Sequence, residues 1–381
     1  MTGTNKPMSP SQALQGILNA QERGVTENEL SAPSLWPQDE DRSTWNEGIL
    51  GRTVESSLAT LPSLIAPSLE NLQVKLPLQE PVTEQQVYQR LVAMSRVYGH
   101  HQYRDPGDHI QIGDDVILDV IGYANRKILP FSAREHLHLQ TTSFTEFPGF
   151  AEALVGVEVG DATVIHINLP HTFPIVGMRG QPASFAVVVE AAWQVTPMTF
   201  QHPDDFVRLE RGSTYEEVVV SVMEEMEIEL ATRTQRQISR NVLEQLCLRA
   251  PIRIPSRLID EEIRQQWMLC EGHFLQSREM EPIDMETALS GWIEHPGLRE
   301  EAKHRIHSAT VLKAISEQLA PSLHLNEFRD FVAGLAEVVG FDVDDVLRSL
   351  ERDPRLNQIL VDRFLYLRTL NFILGRTQMV V

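Results

Sequence analysis

From Ser213 onward the chain carries the makings of one very long helix. Ser213 stands three residues before Glu216, and Thr214 three before Glu217, the pattern of a capping box that satisfies the first helical N–H groups. The helical pattern continues to Arg249, and Pro251, which lacks an N–H and cannot extend a helix, closes it. At 1.5 Å per residue such a helix is roughly 50 Å long. A small globular domain cannot enclose it, so it must project or form one arm of a helical hairpin. Glu224, Glu225, Glu227 and Glu229 precede Arg233, Arg236 and Arg240, an order that suits the helix dipole and sets Glu229 one turn from Arg233.

Further helices are expected from about Ser256, Pro296, Asn326, Asp342 and Pro354, so residues 196–381 read as an elongated all-α domain with arm-like helices. Residues 111–195 alternate like short antiparallel strands, over Val116–Ile121, His136–Leu139, Ala162–Leu169 and Phe185–Trp193. Within them, Pro148-Gly149-Phe150 leads a short helix, and turns at Gly156 and Gly160-Asp161 feed an alternating strand that ends at Pro170. The pattern is that of a small half-barrel wrapped on one helix. Residues 66–110 read as a connecting arm: an extended run from Leu72 to Leu78, then a Thr83/Gln86 capping box opening a helix through Val87, Leu91, Val92 and Met94. Residues 1–65 form an acidic N-terminal segment with a short amphipathic helix over Ser9–Asn19. Trp36 and Trp45 there either pin a loop or anchor a partner. The expected class is therefore α+β and multidomain.

Fifty-three acidic residues against 33 basic give a formal charge of −20, which repels phosphate backbones and argues against nucleic acid as a partner. Two cysteines without CxxC spacing fit a reducing compartment. With no apolar core behind a basic start and no uncharged run of membrane length, the expectation is a cytoplasmic protein without a membrane partner. No phosphate-binding glycine loop or hydrolase triad stands out, and no cofactor is expected. His100-His101 and His136-x-His138 raise the question of a metal. No cysteine or paired carboxylate near them in sequence completes a site, and His304 and His307 lie on a Lys/Arg-bearing helix, so solvated histidines are expected and no metal.

The run from Pro148 to Pro170 resembles the core of an FKBP-type peptidyl-prolyl isomerase domain. The tail, with Ile254-Pro255-Ser256-Arg257-Leu258-Ile259-Asp260 and Arg299-Glu300-Glu301-Ala302-Lys303, resembles the C-terminal domain of trigger factor, a bacterial chaperone family. Prolyl isomerisation needs no nucleophile or metal; its barrier is lost amide resonance, about 20 kcal/mol uncatalysed. A dry aromatic pocket lowers it. The resemblance implies substrate-binding positions at Val120, Leu129, Phe147, Phe150, Phe173, Phe185 and Val187, with Phe150 and Phe173 carrying what catalysis there is. Val120 stands where that family has an aromatic residue, and Leu129-Pro130 where it has Phe followed by an acidic residue. These departures imply a degenerate or weak isomerase. The other reading of the same aromatics is that they are core residues of a small barrel.

The resemblance further implies an ATP-independent holdase whose helical arms hold unfolded clients through scattered apolar patches, with one dedicated client as a narrower form. Met223, Met226, Met268 and Met280 suit such contacts, being flexible and polarisable; Phe364, Leu367, Leu370 and Phe372 read as core. The family's ribosome-docking Gly-Phe-Arg-Lys tetrapeptide does not occur in this sequence, and residues 1–65 hold four basic residues against eight acidic ones. Docking on the ribosome is therefore not expected. A working prolyl isomerase, or a structural adaptor bound stoichiometrically to one assembly, are the alternatives left open.

Overall fold

The computed structural model describes residues 62–142, 147–201, 205–206, 209, 211–319 and 325–380. The expected helix at Ser9–Asn19, Trp36 and Trp45 lie outside the described residues. The chain is mixed α+β, an antiparallel sheet region combined with a helical region, as its sequence pattern predicts.

After a short strand, β1 (Gln73–Lys75), comes α1 (Glu84–Val97), opened by the expected capping box: the Thr83 side chain accepts from Gln86 N and the Gln86 side chain from Thr83 N. The sheet follows, with β2 (His100–Tyr103), β3 (Asp115–Ala124), β4 (Lys127–Ile128), β5 (Arg134–Gln140), β6 (Ala162–Asn168) and β7 (Pro182–Thr196). β7 pairs with β2, β3 and β6, while β3 also pairs with β4 and β5, all antiparallel. β2 lies inside the segment expected to be a plain connecting arm. Its polar sequence, His100-His101-Gln102-Tyr103, hides it from an apolar alternation test. Val116, Leu118, Leu137, Ile165 and Val189 are buried together with Leu154 of the short helix α2 (Phe150–Leu154).

The helical region begins with α3 (Tyr215–Arg249), 35 residues long, whose N-cap Thr214 accepts from Glu217 N. Glu229, expected to pair along its own helix, reaches Arg90 of α1 at 2.6 Å. Next come α4 (Ser256–Trp267), a π-helical turn (Met268–Gly272), α5 (His273–Ser277), α6 (Pro282–Glu294) and α7 (Pro296–Leu319). The chain closes with α8 (Leu325–Val339), α9 (Val343–Arg352), α10 (Pro354–Arg376) and β8 (Gln378–Val380). β8 runs parallel to β1, with Val74 opposite Met379, so the expected all-helical tail ends in a strand. Three residues are too few for periodicity to reveal.

Among the described residues, four buried clusters organise the molecule. Each is a set of aliphatic and aromatic side chains removed from water, the dominant favourable term in folding. One joins α1 to the first turns of α3 through Val87, Leu91, Val218 and Val222. A second joins β1, the end of α3, α7 and α10 through Val74, Val242, Val311 and Ile373. A third is internal to α8, α9 and α10. The largest runs without a break from the sheet into α4–α7, uniting Val120, Phe150 and Phe185 with Ile259, Trp267, Leu275, Trp292 and Ile306.

Candidate functional site

Phe147, Phe150, Phe173, Phe185, Val120, Leu129 and Val187, the expected substrate-binding positions, come together in that largest cluster, none more than 1 % exposed. Three of the rings form a compact aromatic group. Phe185 meets Phe147 and Phe150 edge-on, at centroid distances of 5.2 and 5.5 Å, and Phe147 lies 6.3 Å from Phe150. Edge-to-face packing sets the positive ring edge against a negative face. Gly122 makes room for this arrangement: a Cβ there would stand 2.9 Å from the Phe185 ring and 2.6 Å from Ser132 Oγ. Arg179 Nε donates to the Phe173 carbonyl at 2.7 Å and ties down the loop that carries Phe173.

Two of the seven also border open space. Val120 and Val187 face each other across β3 and β7 and line a groove of about 470 Å³. Its other lining includes Ile121, Val164, and Phe274 and Arg278 of the α5 end. The guanidinium of Arg278 lies 5.3 Å from the Phe274 ring centroid and bonds the Asp119 carboxylate on β3.

Leu129, Pro130 and Phe131 lead into the seam with the helices. Pro130 abuts α6 at Gly291, where a Cβ would meet the proline Cγ at 2.2 Å. The Phe131 and Trp292 rings lie 4.7 Å apart. From the π-helical turn, fully buried Glu271 accepts from Ala133 N at 3.0 Å and from Trp292 Nε1 at 2.8 Å, with Arg134 Nη1 at 3.5 Å. Burial pushes the Glu271 carboxyl above the usual carboxylate range, while Arg134 and these hydrogen bonds oppose the shift. Sequence reading missed Glu271 and Trp292 altogether. Pro282 at the first helical position is the one signal that could have revealed α6.

The long helix supplies a second surface. No residue of α3 between Val222 and Ile238 is buried, and Val220, Met223 and Ile228 are exposed apolar side chains there or one turn before. Tyr88 and Val92 of α1 are exposed as well. Of the expected contact methionines, Met223 is exposed and Met226 half-buried against the α1–α3 cluster, while Met268 and Met280 pack on the sheet–helix core. In the tail Phe364 is buried and Leu367, Leu370 and Phe372 are half-buried.

The histidines divide by environment. His138 stacks on Trp193 at 5.2 Å, and a His101 ring nitrogen bonds the Arg96 carbonyl. His307 bonds the Ala250 carbonyl at 2.8 Å, and burial lowers the pKa of His304. His136 is different. Its Nδ1 lies 2.5 Å from Glu190 Oε2, and its backbone N–H donates to Asp119 Oδ1 at 2.9 Å. The carboxylates that sequence reading found wanting come from neighbouring strands, 54 and 17 residues away, where spacing along the chain cannot show them.

Among the described residues no helix is long and apolar enough to cross a membrane. Residues 214–375 match the family model described as bacterial trigger factor protein C-terminus. Trigger factor of Novosphingobium aromaticivorans is 27 % identical over 315 residues, covering 82 % of this chain and 59 % of that protein. Trigger factor of Sphingopyxis alaskensis is 22 % identical over 328 residues, 85 % of this chain and again 59 % of the relative. The chain thus spans 59 % of the length of these two relatives. A solved chain reported under "Promiscuous Substrate Recognition in Folding and Assembly Activities of the Trigger Factor Chaperone" is 16 % identical, with 96 % of this chain and 94 % of that one covered. Its TM-score of 0.32 is too low to bear on the fold. The sequence matches relate this chain to the trigger factor family, most fully through its C-terminal helices.

Proposed function

We propose that this chain is an ATP-independent chaperone that holds unfolded polypeptide. The observation that carries the reading is the set of exposed apolar side chains, Val220, Met223 and Ile228, that α3 keeps at and just beyond its packing against α1. Apolar surface left in water gains free energy when a client's apolar segments cover it. The names of the relatives support the same reading. The client is an unfolded or partly folded protein, and in the narrower form of the proposal a single dedicated one.

The sheet region is, in this reading, an FKBP-type module with weak isomerase activity. Phe150 and Phe173 would form the catalytic wall, but both are fully buried and the expected acidic partner is replaced by Pro130. The chain works away from the ribosome, since 53 acidic residues against 33 basic oppose docking on RNA.

The test is light scattering of a chemically denatured protein diluted into buffer without ATP. Wild-type chain should suppress aggregation, and Val220→Ser/Met223→Ser/Ile228→Ser should lose most of that suppression while keeping its helical content. Full suppression by the triple variant would move the holding surface elsewhere. Acceleration of a proline-limited refolding reaction should be slight, and strong acceleration would make the isomerase the principal activity.

A further inference from the structure

We propose that Asp119, His136 and Glu190 form a binding site for a divalent d-block cation such as zinc, for which Arg278 competes. The three residues lie on adjacent strands β3, β5 and β7, and their ligand atoms all fall within 4.8 Å of one another. Among the described residues they are the one group of three metal-ligating side chains so gathered.

Two irregularities of the sheet bring them together. The β3–β5 register shifts between Leu118 and Val120, and the β3–β7 register shifts between Ile117 and Leu118. Bulges re-aim side chains and are set into the backbone, so the donors are positioned before any ligand arrives. His136 takes a left-handed backbone conformation, φ 54°, at the first of these shifts. Its ring is 66 % exposed and open to an incoming ion, while Asp119 is buried beneath it.

The second observation is the charge already drawn to the spot. Arg278 reaches across from the end of α5 to bond Asp119, and its side chain is 42 % exposed. A guanidinium and a divalent cation satisfy the same buried carboxylate, so the site favours positive charge whichever arrives. Arg278 can withdraw to solvent, giving up its place over the Phe274 ring. The donor set fixes the class of ion. Imidazole nitrogen with carboxylates suits zinc, cobalt(II) or nickel(II) at bond lengths of about 2.0–2.2 Å, whereas calcium and magnesium take oxygen ligands.

Competition has a consequence for the groove. Asp119 and Arg278 both line it, and their bond links α5 to the sheet at its edge. An ion that takes Asp119 frees Arg278 and removes that link. By linkage, whatever draws Arg278 away strengthens ion binding by the same factor.

Calorimetric titration of the full chain with zinc chloride tests this, with the visible spectrum of added cobalt(II) as a second readout. One equivalent should bind. Changes in outer-shell residues alone weaken metal sites about 10–100-fold, so His136→Ala and Glu190→Gln, which remove ligands, should each weaken binding by at least about tenfold. Arg278→Met should tighten it. Both ligand side chains are at least partly exposed, and circular dichroism should confirm that the variants fold. No binding by wild type or Arg278→Met would overturn the site. Binding that His136→Ala leaves unchanged would overturn it too, by placing the ion on other histidines. Equal affinity in wild type and Arg278→Met would refute the competition.

Discussion

At Glu271 a carboxylate is held out of water by three donors from two parts of the chain. Burial raises its pKa in the folded protein above the ordinary value of the unfolded chain. A carboxyl so shifted contributes most when protonated. Its contribution is fully present below the ordinary carboxylate range and is lost as pH rises through the raised value. Glu271→Gln removes that titration, so the melting temperature of the variant should gain on wild type as pH rises through this window. A constant difference across pH would show that Arg134 and the two N–H donors hold the group ionised. Gly291 gives a test whose sign decides between two effects. Alanine in a helix interior is favoured over glycine by about 1 kcal/mol. Here the new Cβ would overlap Pro130, and overpacking of this kind costs about 1–3 kcal/mol. Gly291→Ala should therefore lower stability in a denaturant titration; a gain would mean that the seam yields easily. At this scale the sequence offered two readings of the aromatic positions, pocket wall and barrel core, and could not choose between them. Phe150 and Phe173 carry the same letters whether they line a pocket or fill a core.

Elements were most legible where a local signal starts or stops them. Thr83 with Gln86, Thr214 with Glu217, and the prolines at 296 and 354 each mark a helix start by satisfying or omitting an N–H that has no helical partner. What escaped were elements that depend on distant chain. β8 exists because β1 offers it an edge, and Arg249 fixes the turn before β1 by donating to the carbonyls of Ser68, Glu70 and Asn71. Arg249→Met removes all three bonds. Amide exchange across residues 72–76 and 378–380 should then speed up together, while exchange in β3 stays slow. Faster exchange at β3 as well would mean that the β1–β8 pair is coupled to the large sheet.

For the whole molecule, the decisive fact is that the largest core belongs to two regions of the chain at once. Trp292 is fully buried between them and bonds Glu271. Trp292→Ala should cost about 3–5 kcal/mol. The loss should appear in the sheet as well as in α6: amides of β3 and β7 should lose protection in the same exchange experiment that exposes α6. Protection retained in the sheet would show that it stands alone. The sequence made the two regions separately readable, one by period two and one by helical period. It could not show that they share an interior, because that depends on Phe131 meeting Trp292, residues with no common local pattern.

The long helix α3 can also be considered as a mechanical part. Its first turns are gripped by apolar packing against α1, and its last turns by packing against β1, α7 and α10. The span between, about 22 Å at 1.5 Å per residue, is tied to neighbours by polar contacts such as Arg90 with Glu229 and Gln79 with Thr234. A rod clamped at both ends and tethered at its middle by bonds that water can replace bends most easily there. The least stiff part of the beam is thus adjacent to its bare apolar side chains, so that surface can change its curvature by flexure, without a hinge.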